Sequence, residues 1–288
     1  MFMHYVTSKS ILSKNNGMNL YRGCTHGCIY CDSRSKKYGM NHSFEDIEVK
    51  ENYLELLKKE LRKRTPSMIG TGAMTDPYIP LEKHLGHVRN TLELIYSYGF
   101  GFTCITKSDL VLKDLDLLKK INEKTRVVIQ MTLTTADDDL CRILEPHVCS
   151  TSRRVEVLNI LKEENIPTIV WLCPILPYIN DTEENINSIL DYCIESDVKG
   201  IFCHGMGMTL REGNREYFYQ KLDEHFPGLK ENYIRNYGDS YSIPSPNERK
   251  LMRIFKRRTH DNNILNNFND VFSFLNEFPQ KSYQSKLF

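Results

Sequence analysis

The sequence predicts an α/β fold, a partial (β/α)6 barrel of the TIM type with a C-terminal helical extension. Short apolar, β-branched segments alternate with amphipathic segments along most of the chain, as expected of repeated βα units around a parallel sheet. A chain of 288 residues and 33.7 kDa can also bury one large core of this kind. We expect a barrel domain over residues 1–241, and a linker, a helical extension and a flexible tail over residues 242–288.

Six strands and five outer helices make up the predicted barrel. The strands are expected at Met18–Tyr21, Met68–Gly72, Phe102–Thr106, Val127–Leu133, Thr168–Cys173 and Gly200–His204. The helices carry Leu, Ile and Val at three- and four-residue intervals, and they are expected at Tyr53–Lys63, Lys83–Tyr98, Leu110–Asn122, Arg153–Glu164 and Glu183–Ser196. After a linker at residues 242–246, two more helices are predicted at Asn247–Arg258 and Asn267–Phe278.

Three cysteines near the N-terminus are the most informative residues for function. Cys24, Cys28 and Cys31 have a spacing that suits an iron–sulfur cluster in which one iron has no protein ligand. Such an open iron is typical of a catalytic site. Structural zinc usually takes four ligands, and no second close Cys pair follows at a matching distance. His26 could supply a fourth ligand, so a zinc site remains an alternative.

Polar motifs follow several of the predicted strands at their carboxyl ends. The three cysteines follow the first strand, Thr75 and Asp76 the second, Lys107 the third and Pro174 the fifth. In a barrel of parallel strands these ends meet on one face, where the chemistry is usually located. We therefore expect one pocket that combines all of these motifs.

The spacing of the three cysteines, with Tyr30 directly before the third, resembles the radical S-adenosylmethionine (SAM) superfamily. The similarity to its spore photoproduct lyase-like branch, often labelled DNA repair photolyase, runs from about Asn19 to about Pro246. The motifs that carry it are Tyr-Arg-Gly-Cys at 21–24, Gly-Cys-Ile-Tyr-Cys-Asp at 27–32, Met-Thr-Asp-Pro-Tyr-Ile-Pro-Leu-Glu at 74–82, Ile-Thr-Lys-Ser at 105–108, Leu-Glu-Pro at 144–146 and Pro-Ile-Leu-Pro at 174–177.

This resemblance implies a [4Fe-4S] cluster and SAM as cofactors, and a 5′-deoxyadenosyl radical that abstracts hydrogen from the substrate. The cluster ligands would be Cys24, Cys28 and Cys31. The expected SAM-binding residues are Tyr30 at the adenine, Thr75 and Asp76 at the amino group, Lys107 at the carboxylate, and Thr132 on the fourth strand. No catalytic acid or base is assigned.

Two positions depart from true spore photoproduct lyases. A Cys that returns hydrogen to the product in those enzymes is replaced by Met74, and an aromatic residue after the third cluster Cys is replaced by Asp32. Efficient repair of spore photoproduct is therefore not expected. DNA is the substrate class that the resemblance favours. Radical modification of RNA, a peptide or a small metabolite is an alternative, and a zinc-stabilised binding module is another.

Composition limits the partners. The formal net charge is +1 and the isoelectric point is about 7.6, so no global positive field attracts nucleic acid and any DNA contact must be local. The basic run at 256–258 could meet phosphate, although such a run more often faces solvent at a helix end. A flavodoxin- or ferredoxin-type electron donor is expected.

A cytoplasmic location is also expected, because no leader-like or membrane-spanning apolar run is present. Reduced thiols fit that location. The remaining cysteines lie mostly in apolar surroundings and are predicted to be small buried hydrophobic residues; they are Cys104, Cys141, Cys149, Cys173, Cys193 and Cys203.

The last five residues, Gln284–Phe288, resemble the Gln-x-x-Leu-Phe peptide that docks on bacterial sliding clamps. A polar anchor followed by an aliphatic and an aromatic residue can fill an apolar groove. The alternative is an ordinary frayed terminus.

Overall fold

The computed structural model describes residues 2–279. The strands are β1 (Met3–Val6), β2 (Gly17–Met18), β3 (Tyr21–Arg22), β4 (Ile47–Lys50), β5 (Met68–Thr71), β6 (Gly101–Thr106), β7 (Val127–Thr132), β8 (Thr168–Trp171), β9 (Gly200–Phe202), β10 (Gly207–Thr209) and β11 (Ser242–Pro244). The helices are α1 (Tyr53–Leu61), α2 (Glu82–Leu85), α3 (His87–Tyr98), α4 (Leu115–Lys124), α5 (Asp138–Leu144), α6 (Thr151–Glu163), α7 (Glu183–Glu195), α8 (Asn214–His225), α9 (Leu229–Tyr237), α10 (Glu248–Asp261) and α11 (Phe268–Asn276). The tail peptide Gln284–Phe288, predicted to dock on a sliding clamp, lies outside the described residues.

The main sheet has six parallel strands in the order β2-β5-β6-β7-β8-β9, the same as their order along the chain. Helices connect successive strands, so the predicted partial (β/α)6 barrel is confirmed. Every residue of the central strand β7 is buried, as expected of a parallel strand covered on both faces.

Alternation along β7 separates the outer core from the barrel interior. Val127, Ile129 and Met131 belong to the large apolar core that includes the outer helices. Val128, one residue out of phase with them, instead packs with Val271 and Leu275 of α11. Because side chains alternate between the two faces of a strand, α11 closes the amino-terminal end of the barrel.

A layer of polar side chains lies next to this apolar cluster, on the side of the carboxyl ends of the strands. The side chain of Gln130 donates to Thr103 Oγ1 over 2.7 Å and accepts from Trp171 Nε1, also over 2.7 Å. These three residues belong to β6, β7 and β8. Their hydrogen bonds fix the register of the interior just below the carboxyl ends of the strands.

The first predicted strand and two predicted helices differ from the structure. Residues 18–21 do not form one strand, because β2 joins the main sheet while β3 pairs antiparallel with β4 in a small second sheet. The predicted helix Lys83–Tyr98 is broken at Gly86, whose φ is +64°. The predicted helix Leu110–Asn122 begins as a 3-10 turn at Asp109–Asp114.

The predicted linker at 242–246 is also partly structured. Its first residues form β11, which pairs antiparallel with β10, so the chain crosses the predicted boundary at 241/242 through a strand pair. Beyond it, α10 packs against α7. The division into residues 1–241 and 242–288 stays a prediction. No helix in the described part of the chain is long and apolar enough to span a membrane.

Candidate active site

A cavity of about 590 Å³ opens at the carboxyl ends of the barrel strands. Its volume lies within the range of small-molecule and cofactor sites. It is lined by side chains that follow successive strands, among them Cys24, Cys28, Cys31, Tyr30, Asp76, Lys107, Thr132, Cys173 and His204. The predicted convergence of the strand-end motifs on one pocket is therefore present in the structure.

The loop at residues 23–31, called the Cys loop below, is held by backbone hydrogen bonds to distant segments. The Cys24 amide donates to the carbonyl of Phe44, and the Ile29 amide donates to the carbonyl of Leu144, each over 3.0 Å. Gly23 has a φ of +87°, and a Cβ there would lie 2.6 Å from the Phe44 oxygen. The loop can pass this close to its neighbour only with glycine at that position.

The three cysteines of the Cys loop are free and face the cavity. Cys24 and Cys28 are buried and Cys31 is partly exposed. Burial raises the pKa of Cys28 to about 12, with Lys107 opposing that rise. A bound metal overrides such a shift by holding the thiolate directly.

The arrangement of these thiols does not suit a single zinc ion. Thiolates on one tetrahedral zinc lie about 3.8 Å apart, given Zn–S bonds of about 2.3 Å. Within residues 2–279, the one set of three metal-ligand side chains whose ligand atoms lie within 4.8 Å of one another is His4, His42 and Glu48, which do not line the cavity. The sulfurs of Cys24, Cys28 and Cys31 therefore do not all lie within 4.8 Å of one another, which is compatible with a cluster in which each thiolate binds a different iron.

Asp76 joins the strand ends to the Cys loop. Its Oδ1 accepts from the Tyr78 amide over 2.8 Å, and its Oδ2 accepts from the Lys107 amide over 2.8 Å. Thr106 Oγ1 donates to both oxygens, and His26 Nε2 lies 3.0 Å from Oδ2. Burial would raise the pKa of Asp76, but His26 and the two amides outweigh it and hold the pKa below its usual range.

These contacts occupy both oxygens of Asp76, the residue predicted to receive the amino group of SAM. Its carboxylate is fixed by protein donors, so its clearest structural role is to position the ends of β5 and β6. Thr75, predicted for the same amino group, is buried but is not part of the cavity wall. Ala73 and Met74, which precede Thr75, do line the cavity.

Tyr30 and Lys107 lie on one side of the cavity. The Tyr30 hydroxyl donates to Glu145, and the Lys107 ammonium lies 5.9 Å from the centroid of the Tyr30 ring. Burial would lower the pKa of Lys107, but Cys28, Glu145 and Asp76 raise it above the usual value. The ammonium therefore stays charged and available to an anionic ligand.

Glu145 and Arg154 form a fully buried ion pair, with an Arg154 Nη2 to Glu145 Oε2 distance of 2.5 Å. Arg154 Nη1 also donates to the Thr132 carbonyl over 3.1 Å, which ties the pair to the end of β7. Burial would raise the pKa of Glu145, but Arg154 and Lys107 lower it below the usual value. Through the Tyr30 hydroxyl, this pair fixes a wall of the cavity.

Sequence reasoning assigned no role to Glu145, Arg154 or Thr106, and considered His26 only as a zinc ligand. The sequence signals for these residues were weak. Glu145 lies within the Leu-Glu-Pro motif at 144–146, and Arg154 follows another Arg at the start of a predicted helix. Pairing between residues that are far apart in the chain cannot be inferred from one sequence. Cys173 was predicted to be a buried hydrophobic residue, whereas it is partly exposed on the cavity wall.

The sequence model of the Radical SAM superfamily matches residues 18–193. The chain belongs to the radical SAM superfamily. Members of this superfamily use a [4Fe-4S] cluster and SAM, and they need an electron donor. The three free thiols and the adjacent cavity are compatible with both cofactors.

Relatives and solved structures agree with this family. The chain is 25% identical to an uncharacterized protein of Mycobacterium tuberculosis over 266 residues, which cover 87% of this chain and 77% of that protein. It is 32% identical to an uncharacterized protein of Methanocaldococcus jannaschii over 168 residues, covering 58% and 62%. Spore photoproduct lyase complexed with dinucleoside spore photoproduct has a TM-score of 0.64 at 14% identity, covering 92% and 82%.

A second solved structure is a spore photoproduct lyase variant with bound AdoMet and dinucleoside spore photoproduct. It has a TM-score of 0.62 at 13% identity, and the similarity covers 88% of this chain and 75% of that chain. At this level of identity, the similarity shows a shared fold. The radical SAM chain described here therefore has a spore photoproduct lyase-like architecture.

Proposed function

We propose that this chain holds a [4Fe-4S] cluster on Cys24, Cys28 and Cys31 and uses SAM bound in the adjoining cavity to start a radical reaction on DNA. The observation that carries the proposal is that these three thiols and Lys107 line one cavity at the strand ends. When bound, the cluster supplies the electron that cleaves SAM to methionine and the 5′-deoxyadenosyl radical.

The chain itself positions the cofactor and excludes water. The Lys107 ammonium is the proposed partner of the SAM carboxylate, and the Tyr30 ring beside it is the proposed adenine contact. Thr132 is buried at the end of β7 on the same cavity wall, and we retain it as a SAM contact. Asp76 acts indirectly: its carboxylate accepts the hydrogen bond of the Lys107 amide and so fixes the Lys107 backbone.

DNA is proposed as the substrate because the solved structures with this architecture include a lyase with a dinucleoside photoproduct. Met74 lines the cavity and has no S–H bond to give, so the hydrogen-return step must differ from that of a lyase with Cys at this position. Cys173 is the thiol of the described cavity wall that lies outside the Cys loop.

We assign the hydrogen return to Cys173. Its S–H bond breaks as a C–H bond forms on the product radical, and a thiyl radical remains. Restoring the thiol would take one electron from the electron donor that the superfamily needs and one proton from solvent.

Anaerobic reconstitution tests the cofactor assignment. We expect a brown protein with about four irons per chain that forms 5′-deoxyadenosine from SAM in the presence of a strong reductant. Cys28→Ala should lose both the colour and the cleavage. Cys203→Ala, at a free cysteine outside the cavity wall, is the matched control. Colourless protein with one bound zinc, or cleavage by Cys28→Ala, would refute the assignment.

A further inference from the structure

Helix α10 carries a row of exposed cationic side chains, called the basic stripe below. The helix contains six Lys and Arg residues and two acidic residues. Exposed residues at intervals of three and four lie on one face of a helix. The basic stripe consists of Arg249, Arg253, Lys256, Arg257 and His260, all of them exposed.

The opposite face of α10 anchors the helix to the barrel. Leu251, Phe255 and Thr259 are buried, and α10 packs against α7. The basic stripe is therefore held outward by a well-packed helix. Its position is set by the core and not by the charges themselves.

Apart from His260, whose Nδ1 lies 3.3 Å from Asp261 Oδ1, the side chains of the basic stripe have no ion-pair partner in the described part of the chain. Arg258 and Lys250, which lie off the stripe, pair with Asp191 and Glu183. Within residues 2–279, no carboxylate lies within 4.0 Å of the charged nitrogens of Arg249, Arg253, Lys256 or Arg257. Four adjacent like charges repel one another and favour a polyanionic partner.

Helix electrostatics do not explain the basic stripe. A cation is stabilised in the last turn of a helix and disfavoured in the first turn. Lys256 and Arg257 lie near the carboxyl end, but Arg249 is the second residue of the helix. A row that extends over the whole helix requires a different explanation.

The basic stripe borders a groove and begins close to the active-site cavity. It borders a groove of about 680 Å³, together with Met252, Asn266 and one acidic residue, Asp261. Glu248, the residue before Arg249, lines the active-site cavity. The row of positive charge thus begins one residue from the cavity wall and runs away from it.

We propose that the basic stripe binds the phosphate backbone of duplex DNA and presents it to the cavity; the choice of DNA rests on the proposed function. From Arg249 to His260 the stripe is about 16 Å long, and a duplex carries one negative charge per about 1.7 Å of its axis. The stripe can thus face several phosphates at once. Since the whole chain has a net charge of only +1, local charge must provide this affinity.

Salt-dependent binding tests the proposal on the reconstituted full chain. The probe is a fluorescein-labelled DNA duplex of about 20 base pairs, followed by anisotropy between about 50 and 200 mM KCl. The test variant is Arg253→Gln/Lys256→Gln/Arg257→Gln. The matched control is Lys58→Gln/Lys59→Gln/Lys63→Gln, which removes three exposed cations in and just after α1.

We expect the dissociation constant of the test variant to rise at least about tenfold at the lower salt concentrations, and the slope of log affinity against log salt to fall by about 2.7. The control should stay within about twofold of the wild type. Equal losses in both variants, or no loss in the test variant, would overturn the proposal. Tighter binding of the single strand or of RNA of the same sequence would overturn the assignment to duplex DNA.

These experiments distinguish a failure of the basic-stripe proposal from a failure of the proposed radical reaction. SAM cleavage without DNA reports on the cluster and should be the same in the test variant and the wild type. If DNA binds through the basic stripe but is never chemically changed, the binding role of the stripe is supported and DNA is refuted as the substrate. If the wild type cleaves SAM but does not bind the duplex, the binding role of the basic stripe is refuted and the proposed radical chemistry is unaffected.

Discussion

His26 Nε2 lies 3.0 Å from Oδ2 of Asp76, and both side chains are more than nine-tenths buried. This contact joins the Cys loop to the end of β5. The same Asp76 oxygen accepts the Lys107 amide, so one carboxylate links the proposed cluster loop to the proposed SAM carboxylate site. In the proposed function, this link would set the position of the cluster relative to SAM.

Replacing His26 by Ala should impair SAM binding more than cluster assembly. Losing this close contact with a buried carboxylate should cost about 1.5–3 kcal/mol, so the KM for SAM should rise about tenfold or more while the iron content stays unchanged. Iron analysis and 5′-deoxyadenosine kinetics measure the two effects. His225→Ala, at a partly exposed residue, is the control. Unchanged KM in His26→Ala would refute the link.

Glu145→Gln should destabilise the fold strongly, because it leaves Arg154 buried without its charged partner. Breaking a buried pair in this way costs about 3–5 kcal/mol. Urea unfolding under argon measures the loss. Glu156→Gln removes an exposed partner of Arg153 and should cost less than about 1 kcal/mol. Similar losses in the two variants would contradict the assigned importance of the buried pair.

The same pair predicts a pH dependence. The folded pKa of Glu145 lies below the ordinary value of 4.5, so its stabilising contribution is complete above that value and is lost as the pH falls through the folded pKa. The free-energy difference between wild type and Glu145→Gln should therefore be constant above about pH 6 and narrow below about pH 4.5. A difference that grows on acidification would contradict the depressed pKa.

Gly72→Ala should abolish SAM cleavage. Gly72 has a φ of +99°, and a Cβ there would overlap the backbone of Ile105. Since Gly72 and Ile105 both line the cavity, the strand ends must separate to accept a methyl group. Gly99→Ala is the matched control, because Gly99 has a φ of +70° with nothing within 4 Å of its Cβ position. It should cost only about 1 kcal/mol. Wild-type cleavage by Gly72→Ala would refute this close approach.

Leu275→Ala should destabilise the barrel, because it removes apolar contacts between α11 and the barrel interior. Leu275 is 5% exposed and packs with Met68, Val128 and Ile169 inside the barrel. Truncating a buried Leu costs about 2–5 kcal/mol, which urea unfolding would detect. Asn276→Ala, next to it and exposed, should change stability by less than about 0.5 kcal/mol. Equal effects would show that α11 is not an integral part of the core.

Cys173→Ala should separate radical formation from hydrogen return. The variant should still cleave SAM, because Cys173 is not one of the proposed cluster ligands. In D₂O, wild-type enzyme should place deuterium from the exchangeable thiol into the DNA product, and the variant should lose this label. Mass spectrometry of digested DNA measures it. Cys203→Ala is the control, and label retained in Cys173→Ala would refute the role.

The sequence by itself determined the class of fold and, through its resemblance to the radical SAM superfamily, the cofactors. Alternating apolar and amphipathic segments depend on local periodicity, and the spacing of Cys24, Cys28 and Cys31 is a local property as well. Both are readable without knowing which segments meet. The broken strand at residues 18–21 was not, since its pairing partners lie far away in the chain. The helix break at Gly86 is a left-handed turn that glycine permits locally.

Only the tertiary structure decided how the site is held together. The contacts of His26 with Asp76, Glu145 with Tyr30, and α11 with the barrel interior join residues that are dozens of positions or more apart, and Glu145, which directly follows α5, meets Arg154 of α6. One sequence contains no signal for such pairs, because a buried charge and an exposed charge are the same letter. Burial and distance distinguish them, and these exist only once the chain is folded.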